Sequence, residues 1–346
     1  MTKKTSAYSR LISRRLFWLM TMLGLLFTAV VTDILTGPAF LNMFDVLAAL
    51  FMLDSATDQT TNIIVHSIRL PMTLMAMIVG ASLGIAGVQM QTILNNPLAS
   101  PYTLGFSAAA GFGAAVTILF GWQLPFIPQM TIPIVAFLAA GAACALVYGL
   151  AQVRGVTAEI MILAGIAVLF LFQSLQSLVQ YLAAPEVLQE IVFWLFGSML
   201  KASWFTVWVS GSILIVAIVF LVGDVWKLTA LRLGDERARS LGVDVQKLRK
   251  KTFITVSLLT AGAVAFVGTI GFIGLVAPHI ARMLVGEDQR ILIPASAIMG
   301  AVIMVGASIA SKLLSPGAVV PIGIVTAIFG VPFLFALILS GKKRHW

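Results

Sequence analysis

Residues 252–281 form a run of 30 residues without a single Asp, Glu, Lys or Arg side chain. As one α-helix the run would be about 45 Å long, far beyond the roughly 30 Å hydrocarbon core of a bilayer. It also contains residues that favour breaks in a helix, namely Gly262, Gly268, Gly271, Gly274 and Pro278. The run therefore predicts two shorter membrane segments, at about 252–270 and 273–284.

Eight further charge-poor runs have about the 20 apolar residues that one transmembrane helix needs. They lie at about 16–36, 70–94, 102–120, 130–151, 159–183, 203–223, 291–311 and 321–340. Only 10% of the residues are charged, against about 25% in soluble domains. This composition excludes secreted, cytosolic and disordered proteins and predicts an all-α integral membrane protein. The single cysteine, Cys144, excludes a disulfide framework and a cysteine-based metal site.

The basic residues predict how the helices are oriented. A net charge of +9 would suggest nucleic-acid binding in a soluble protein, but here Lys and Arg flank apolar runs. The positive-inside rule assigns these basic clusters to the cytoplasm. Of the 22 Lys and Arg residues, Arg69, Lys201 and Lys312 are then left on the outer side. Ten spans in one transmembrane domain (1–346), with both termini cytoplasmic, satisfy this arrangement.

Ten spans predict a transport function, and the span centres argue against ion coupling. Secondary transporters place ionisable groups inside the membrane, whereas Asp33, Glu159, His279 and Arg282 fall near predicted span ends. The chain also lacks the G-x-x-x-x-G-K-[ST] phosphate loop and a His/Glu metal-ligand spacing. We therefore expect a conduit that is not itself an enzyme and that takes its energy from a separate subunit.

Residues 224–251 form the longest hydrophilic stretch of the chain and a candidate docking element. Gly234 and Gly242 can bound a short amphipathic helix, with apolar contacts from residues such as Leu241. Such a helix can fit a groove on a partner protein. The alternative is a basic loop that serves only topology or contacts anionic lipid.

Several long motifs now identify a resemblance. They are RLPMTLMAMIVGASLGIAGVQMQTILNNPLASPYTLGFSAAAG (69–111), WLFGSM (194–199), ARSLGV (238–243), GFIGLVAPHIARMLVGEDQRILIPASAIMGA (271–301) and PIGIVTAIFGVPF (321–333). In this order they resemble the FecCD-type permeases, the membrane subunits of bacterial ABC importers for iron–siderophores, haem and cobalamin. The likeness covers nearly the whole chain.

This resemblance implies the architecture and the partners. Such permeases are ten-helix subunits of the bacterial inner membrane that pair with a second copy or a paralogue, with the pathway at the interface. A cytoplasmic ABC ATPase dimer binds ATP and Mg²⁺, so that no cofactor is expected on this chain. A periplasmic substrate-binding protein delivers the cargo. Membrane lipid is the remaining partner, and nucleic acid is not one.

The resemblance also implies roles for particular residues. The ATPase-coupling positions are Gly234, Glu236, Ala238, Leu241 and Gly242. Arg69 and Lys312 match positions where a cation can pair with a glutamate of the binding protein; the alternative for both is anchoring to lipid headgroups. Met72, Val319 and Val320 stand where relatives often carry charged residues, which predicts that the set of outer contacts is thinner or is carried by other loops.

Other motif residues have mainly structural interpretations. The Gly80-x-x-x-Gly84 spacing permits close helix packing, with lining of the pathway as the alternative. Asn96, Pro97 and Pro101 predict a sharp reversal between spans that can also touch the ATPase. Pro278, His279 and Arg282 end the second short segment, and His279 is expected to be a polar cap or a residue beside the gate rather than a metal ligand.

The resemblance favours a ferric siderophore as the cargo. Haem, cobalamin or a metal oxyanion is the alternative within the same family. An ion-coupled secondary transporter and a non-transporting membrane scaffold are alternatives of other classes.

Overall fold

A computed structural model describes residues 2–39, 41–50, 58–314 and 318–340. This part of the chain is helical and contains no β-strand. In chain order the helices are α1 (Thr2–Leu35), α2 (Met43–Leu50), α3 (Gln59–Ile63), α4 (Leu70–Ile93), α5 (Phe106–Phe120), α6 (Thr131–Arg154), α7 (Ala158–Leu182), α8 (Pro185–Leu195), α9 (Trp204–Val222), α10 (Val225–Leu231), α11 (Asp235–Ser240), α12 (Val245–Val267), α13 (Ile273–Val285), α14 (Gln289–Leu313) and α15 (Ile322–Ser340).

Seven helical stretches among the described residues are long and apolar enough to cross a membrane. One of them, Gln59–Ile93, joins α3 to α4 through a π-helical turn at Ile64–Arg69. Three shorter apolar helices, at Phe106–Phe120, Ile273–Val285 and Ile322–Ala336, lie where the other predicted spans were placed. The integral membrane class is thus confirmed, whereas the count of ten spans remains a prediction.

The charge-poor run at 252–281 is divided as predicted. α12 ends at Val267, where Gly268 has a φ of +79°, and α13 begins at Ile273 after Phe272 with a φ of +69°. In contrast, the membrane segment predicted at 102–120 has the wrong start, because its helix begins later in the structure. Residues 101–105 form a turn, and α5 begins only at Phe106, after Gly105 with a φ of +85°.

The centre of the bundle is the close packing of α4 on α14. A Cβ atom built on Gly80 would lie 2.3 Å from the carbonyl oxygen of Gly300, and one on Gly84 would lie 2.2 Å from that of Ser296. Real Cβ atoms do not approach so closely, so both positions require glycine. The packing predicted from the Gly80-x-x-x-Gly84 spacing is therefore present.

The two ends of the bundle differ in character. We call the end that carries residues 224–251 the basic end, and the other the opposite end. Arg15 of α1 pairs with Asp288, which caps α14, at 3.6 Å on the basic end. α1 therefore starts on the same side as the 224–251 segment, while the basic C-terminal residues 341–346 lie outside the described part of the chain. The cytoplasmic location of both termini remains a prediction.

Candidate functional site

The short helix predicted between two glycines exists as α11 at the basic end. Gly234, with a φ of +100°, precedes it, and Gly242, with a φ of +83°, follows it. Ala238 is completely buried, whereas Glu236 and Leu241 are exposed. The five residues predicted to couple to an ATPase thus lie together, with a buried side for anchoring and an exposed side available to a partner.

A buried arginine fastens α11 to the membrane helices. Arg249 of α12 is 3% exposed, and its guanidinium donates to both carboxylate oxygens of Asp235, at 2.8 and 2.9 Å. The same side chain donates to the carbonyl oxygens of Ile93 at 3.0 Å and Val156 at 3.1 Å. Because a planar guanidinium fixes direction as well as distance, α11 is rigidly linked to the ends of α4 and α7.

A second network joins the loop before α11 to α13. Glu287 accepts ion pairs from Arg232 at 3.0 Å and from Arg282 at 3.3 Å. Arg282 also donates to the side-chain carbonyl of Gln91 at 2.8 Å, and Arg232 donates to that of Asn95 at 3.4 Å. A displacement of the 224–251 segment would therefore act directly on α4 and α13.

Asp224 ties the start of the 224–251 segment to α12. Its carboxylate accepts hydrogen bonds from Lys227 at 2.7 Å and from Lys251. Burial alone would raise the pKa of Asp224, but the two lysines outweigh it and hold the pKa below its ordinary value. The carboxylate therefore stays ionised as an anchor for both lysines.

The remaining motif residues lie in the turns between α4 and α5 and within α13. Asn96 accepts a hydrogen bond from the backbone of Leu98 at 2.9 Å, which stabilises the turn that contains Pro97. Pro101 continues into the turn before α5. Pro278 is buried within α13, and the neighbouring His279 ring packs edge-on against Phe333, with 6.0 Å between ring centroids. Whether the 96–101 turn touches an ATPase stays a prediction.

Two of the three cations predicted for the outer side, Arg69 and Lys312, lie at the opposite end in buried positions, whereas Lys201 is exposed. Lys312 is 5% exposed and donates to a carboxylate oxygen of Asp33 at 2.8 Å. Arg69 is 3% exposed and donates to the carbonyl oxygens of Ile34, Leu35 and Ala39 at 2.9, 3.0 and 2.6 Å. Direct pairing with a binding protein would require both side chains to leave these partners.

The sequence does not predict the partners of these buried cations and arginines. Asp33, Thr73 and Arg249 contact partners that are distant in sequence, so no local spacing signals these contacts. Glu287 pairs with Arg282, five residues away, and with the more distant Arg232. Among the described residues, no group of three or more His, Cys, Asp and Glu side chains is arranged to hold a metal ion.

Comparison with known proteins gives the following matches. The model of the FecCD transport family matches residues 25–340. The uncharacterized ABC transporter permease protein YvrB of Bacillus subtilis is 40% identical over 286 residues, covering 82% of this chain and 80% of that protein. The Fe(3+)-citrate import system permease protein YfmD of the same organism is 32% identical over 339 residues, covering 98% of each chain.

A solved structure has the same fold. It is described as "an inward-facing conformation of a putative metal-chelate type ABC transporter" and superposes with a TM-score of 0.82 at 30% identity, covering 93% of this chain and 99% of that chain. Other relatives are named for the import of iron(3+)-hydroxamate, hemin and vitamin B12. The permeases that are similar to this chain are therefore named for several different cargoes.

Proposed function

This chain belongs to the FecCD transport family and is a permease of an ABC importer, and from that premise we propose that its cargo is a ferric siderophore. The observation that carries the proposal is the match to the Fe(3+)-citrate permease, which extends over 98% of both chains. The relatives for hemin and vitamin B12 import supply the alternatives to be tested.

In this family the ATPase is a separate subunit, and we assign its docking surface to α11. Glu236 and Leu241 are exposed there beside Arg237 and Arg239, so the surface offers apolar contact flanked by charge. Movement of a docked ATPase would reach α12 through the Asp235 carboxylate and its bound guanidinium. An exposed element that is rigidly bonded to membrane helices is what transmission of ATP-driven motion requires.

At the opposite end we propose that the periplasmic binding protein docks. In the described conformation Arg69 and Lys312 support that surface by fixing the ends of α1, α4 and α14. Either cation would reach a carboxylate of the binding protein only after exchanging its internal partner. The paired permease, identical or paralogous, would complete the pathway.

Uptake into proteoliposomes tests this function. The complex of permease, ATPase and binding protein should take up radioactive ferric siderophore when ATP is supplied inside the vesicle, and collapse of the proton gradient should leave uptake unchanged. Hemin and vitamin B12 are assayed in parallel. Uptake of hemin or vitamin B12 alone would contradict a ferric siderophore as the cargo. Uptake that follows the proton gradient would contradict ATP as the energy source.

A further inference from the structure

Three glutamines and a serine occupy one face of the membrane-spanning helix α7. Gln173, Gln176, Ser177 and Gln180 follow one another at intervals of three, one and three residues, which places them on one side of the helix. Gln173 and Ser177 are exposed, and Gln176 and Gln180 are partly buried. We call these four residues the glutamine stripe.

The glutamine stripe is unsuited to contact with lipid. Each glutamine carries two N–H donors and a carbonyl acceptor. Within the described part of the chain, the stripe's side chains form no hydrogen bond, and hydrocarbon offers them no partner. The other side of α7 presents Leu171 and Leu178, 49% and 53% exposed, as an ordinary lipid-facing surface. The helix thus has an apolar face for lipid and a polar face that needs water or another hydrogen-bonding group.

A non-helical turn packs against the middle of α7. A Cβ atom built on Gly105 would lie 2.8 Å from the backbone nitrogen of Leu169, and one built on Gly165 would collide with Leu104. The 101–105 turn therefore lies at the depth of the centre of α7. Irregular backbone at membrane depth occurs where it is buried in protein or lines a water-filled cavity.

The break between α12 and α13, at 268–272, is the second irregular segment at this depth. The 13 residues of α13 span about 20 Å, less than the roughly 30 Å core. A Cβ atom on Gly87 would lie 1.8 Å from the carbonyl oxygen of Gly274, so α13 starts beside the interior of α4 rather than beyond its end. The break therefore also lies within the membrane.

Two residues of the glutamine stripe, Gln173 and Gln176, and both irregular segments border two adjoining cavities. The smaller has a volume of about 230 Å³, and its lining includes Gln173, Gln176, Tyr102 and Thr269. The larger has a volume of about 600 Å³, shares Tyr102 and Thr269, and continues to Phe272. Their lining side chains are amides, hydroxyls and apolar groups, and among the described residues no ionisable acid or base other than tyrosine lines them.

We propose that the glutamine stripe lines a water-filled section of the cargo path and hydrogen-bonds to a hydrophilic, oxygen-rich cargo. This inference rests on the proposed function and narrows its cargo to metal chelates with exposed oxygen atoms. Neutral amides and hydroxyls can replace water around such a chelate without holding it by charge. Weak, multiple contacts let the cargo enter and leave the path.

Cysteine labelling tests whether the path is hydrated. In the complete transporter in nanodiscs, the buried Cys144 is replaced by alanine, and Gln173→Cys, Gln176→Cys and the lipid-facing control Leu171→Cys are each reacted with a charged methanethiosulfonate reagent. We expect at least tenfold faster labelling at 173 and 176 than at 171. Equal rates would overturn the proposal. Position 173 is exposed and requires no repacking, so it decides the outcome even if the Gln176 variant fails to fold.

Uptake by a double variant tests the class of cargo separately. Gln173→Leu combined with Gln176→Leu should reduce uptake of ferric citrate or of a ferric hydroxamate at least fivefold, whereas Leu171→Met should not change it. Undiminished uptake of these chelates by the double variant would overturn the cargo contact. Wild-type uptake of hemin alone would contradict both the proposed function and the cargo class, and the labelling rates would still decide whether the path is hydrated.

Discussion

Lys312 and Asp33, 279 residues apart in the chain, form a buried ion pair that joins α14 to α1. The Lys312 ammonium lies 2.8 Å from a carboxylate oxygen of Asp33, and the two side chains are 2% and 0% exposed. The other carboxylate oxygen accepts a hydrogen bond from Thr73 of α4 at 2.6 Å. Since the membrane-spanning part of α1 is mostly exposed, this cluster is a major attachment of α1 to the bundle.

Replacing one partner of this pair should destabilise the protein strongly. In Lys312→Met the carboxylate of Asp33 stays buried without its cation, and breaking a buried ion pair in this way costs about 3–5 kcal/mol. Thermal unfolding of the purified permease in detergent measures the loss. The matched control is Lys201→Met, which removes an exposed cation and should leave the unfolding temperature unchanged.

A double variant separates the contribution of the ion pair from the cost of leaving one buried charge unpaired. Asp33→Asn combined with Lys312→Met removes both charges and should cost less than Lys312→Met alone, because no unpaired charge remains. If Lys312→Met unfolds at the same temperature as Lys201→Met, the ion pair contributes nothing to stability and Lys312 is free for another role.

Arg69→Lys tests whether Arg69 acts through its charge or through the hydrogen-bonding geometry of its guanidinium. Lysine keeps the charge but cannot reach three carbonyl oxygens as the guanidinium does. We expect the free energy of unfolding to fall by about 1.5–3 kcal/mol, the range for one hydrogen bond to a charged group. Unfolding temperature and affinity for the binding protein are measured together. Full stability with weakened binding would instead indicate direct contact with the binding protein.

Asp235→Asn should uncouple ATP hydrolysis from transport. The variant weakens the bidentate bond to Arg249, so α11 loses its rigid link to the membrane helices, and ATP-driven uptake should fall at least tenfold while the ATPase remains bound. Glu236→Gln is the matched control on the exposed side of α11: it should weaken association of the ATPase. Co-purification and uptake are measured for both variants, and normal uptake by Asp235→Asn would contradict the assigned link.

The sequence predicted those features of the fold that depend on local pattern. The break near Gly268 follows from the length of an uncharged run, and α11 follows from two glycines that bound a polar segment. The close approach at Gly80 follows from the spacing of small residues. Each of these signals lies within about 30 residues, so no knowledge of the tertiary structure is needed.

The contacts that hold the candidate site together could not be predicted in this way. The distribution of charge predicts an outer location for Arg69 and Lys312, but their burial depends on carbonyl and carboxylate groups contributed by another part of the chain. Gln173 and Gln176 did carry a local signal, since polar residues at helical spacing in an apolar span are unusual. Their role could be inferred only from the cavities beside them, which the sequence does not reveal.

Stability should depend on the charge of Asp224 in acid. Because the pKa of Asp224 is lowered in the folded protein, its contribution is complete above the unfolded value of about 3.9 and is lost as the pH falls through the folded value. Asp224→Asn should therefore reduce the unfolding temperature at pH 6 and flatten its decline below pH 4. A variant that declines as steeply as the wild type would exclude this carboxylate as the cause.

Gly84→Ala should disrupt the packing of α4 on α14. The added Cβ would lie 2.2 Å from the backbone carbonyl oxygen of Ser296, and backbone cannot move aside as a flexible side chain can. Gly141→Ala in α6 is the matched control, because its Cβ would meet nothing within 4 Å. Alanine is favoured over glycine in a helix by roughly 0.5–1 kcal/mol, so the control should be neutral or more stable, while the free energy of unfolding of Gly84→Ala should fall by about 1–3 kcal/mol. Thermal unfolding in detergent distinguishes them, and equal unfolding temperatures would mean that α4 and α14 can separate without loss.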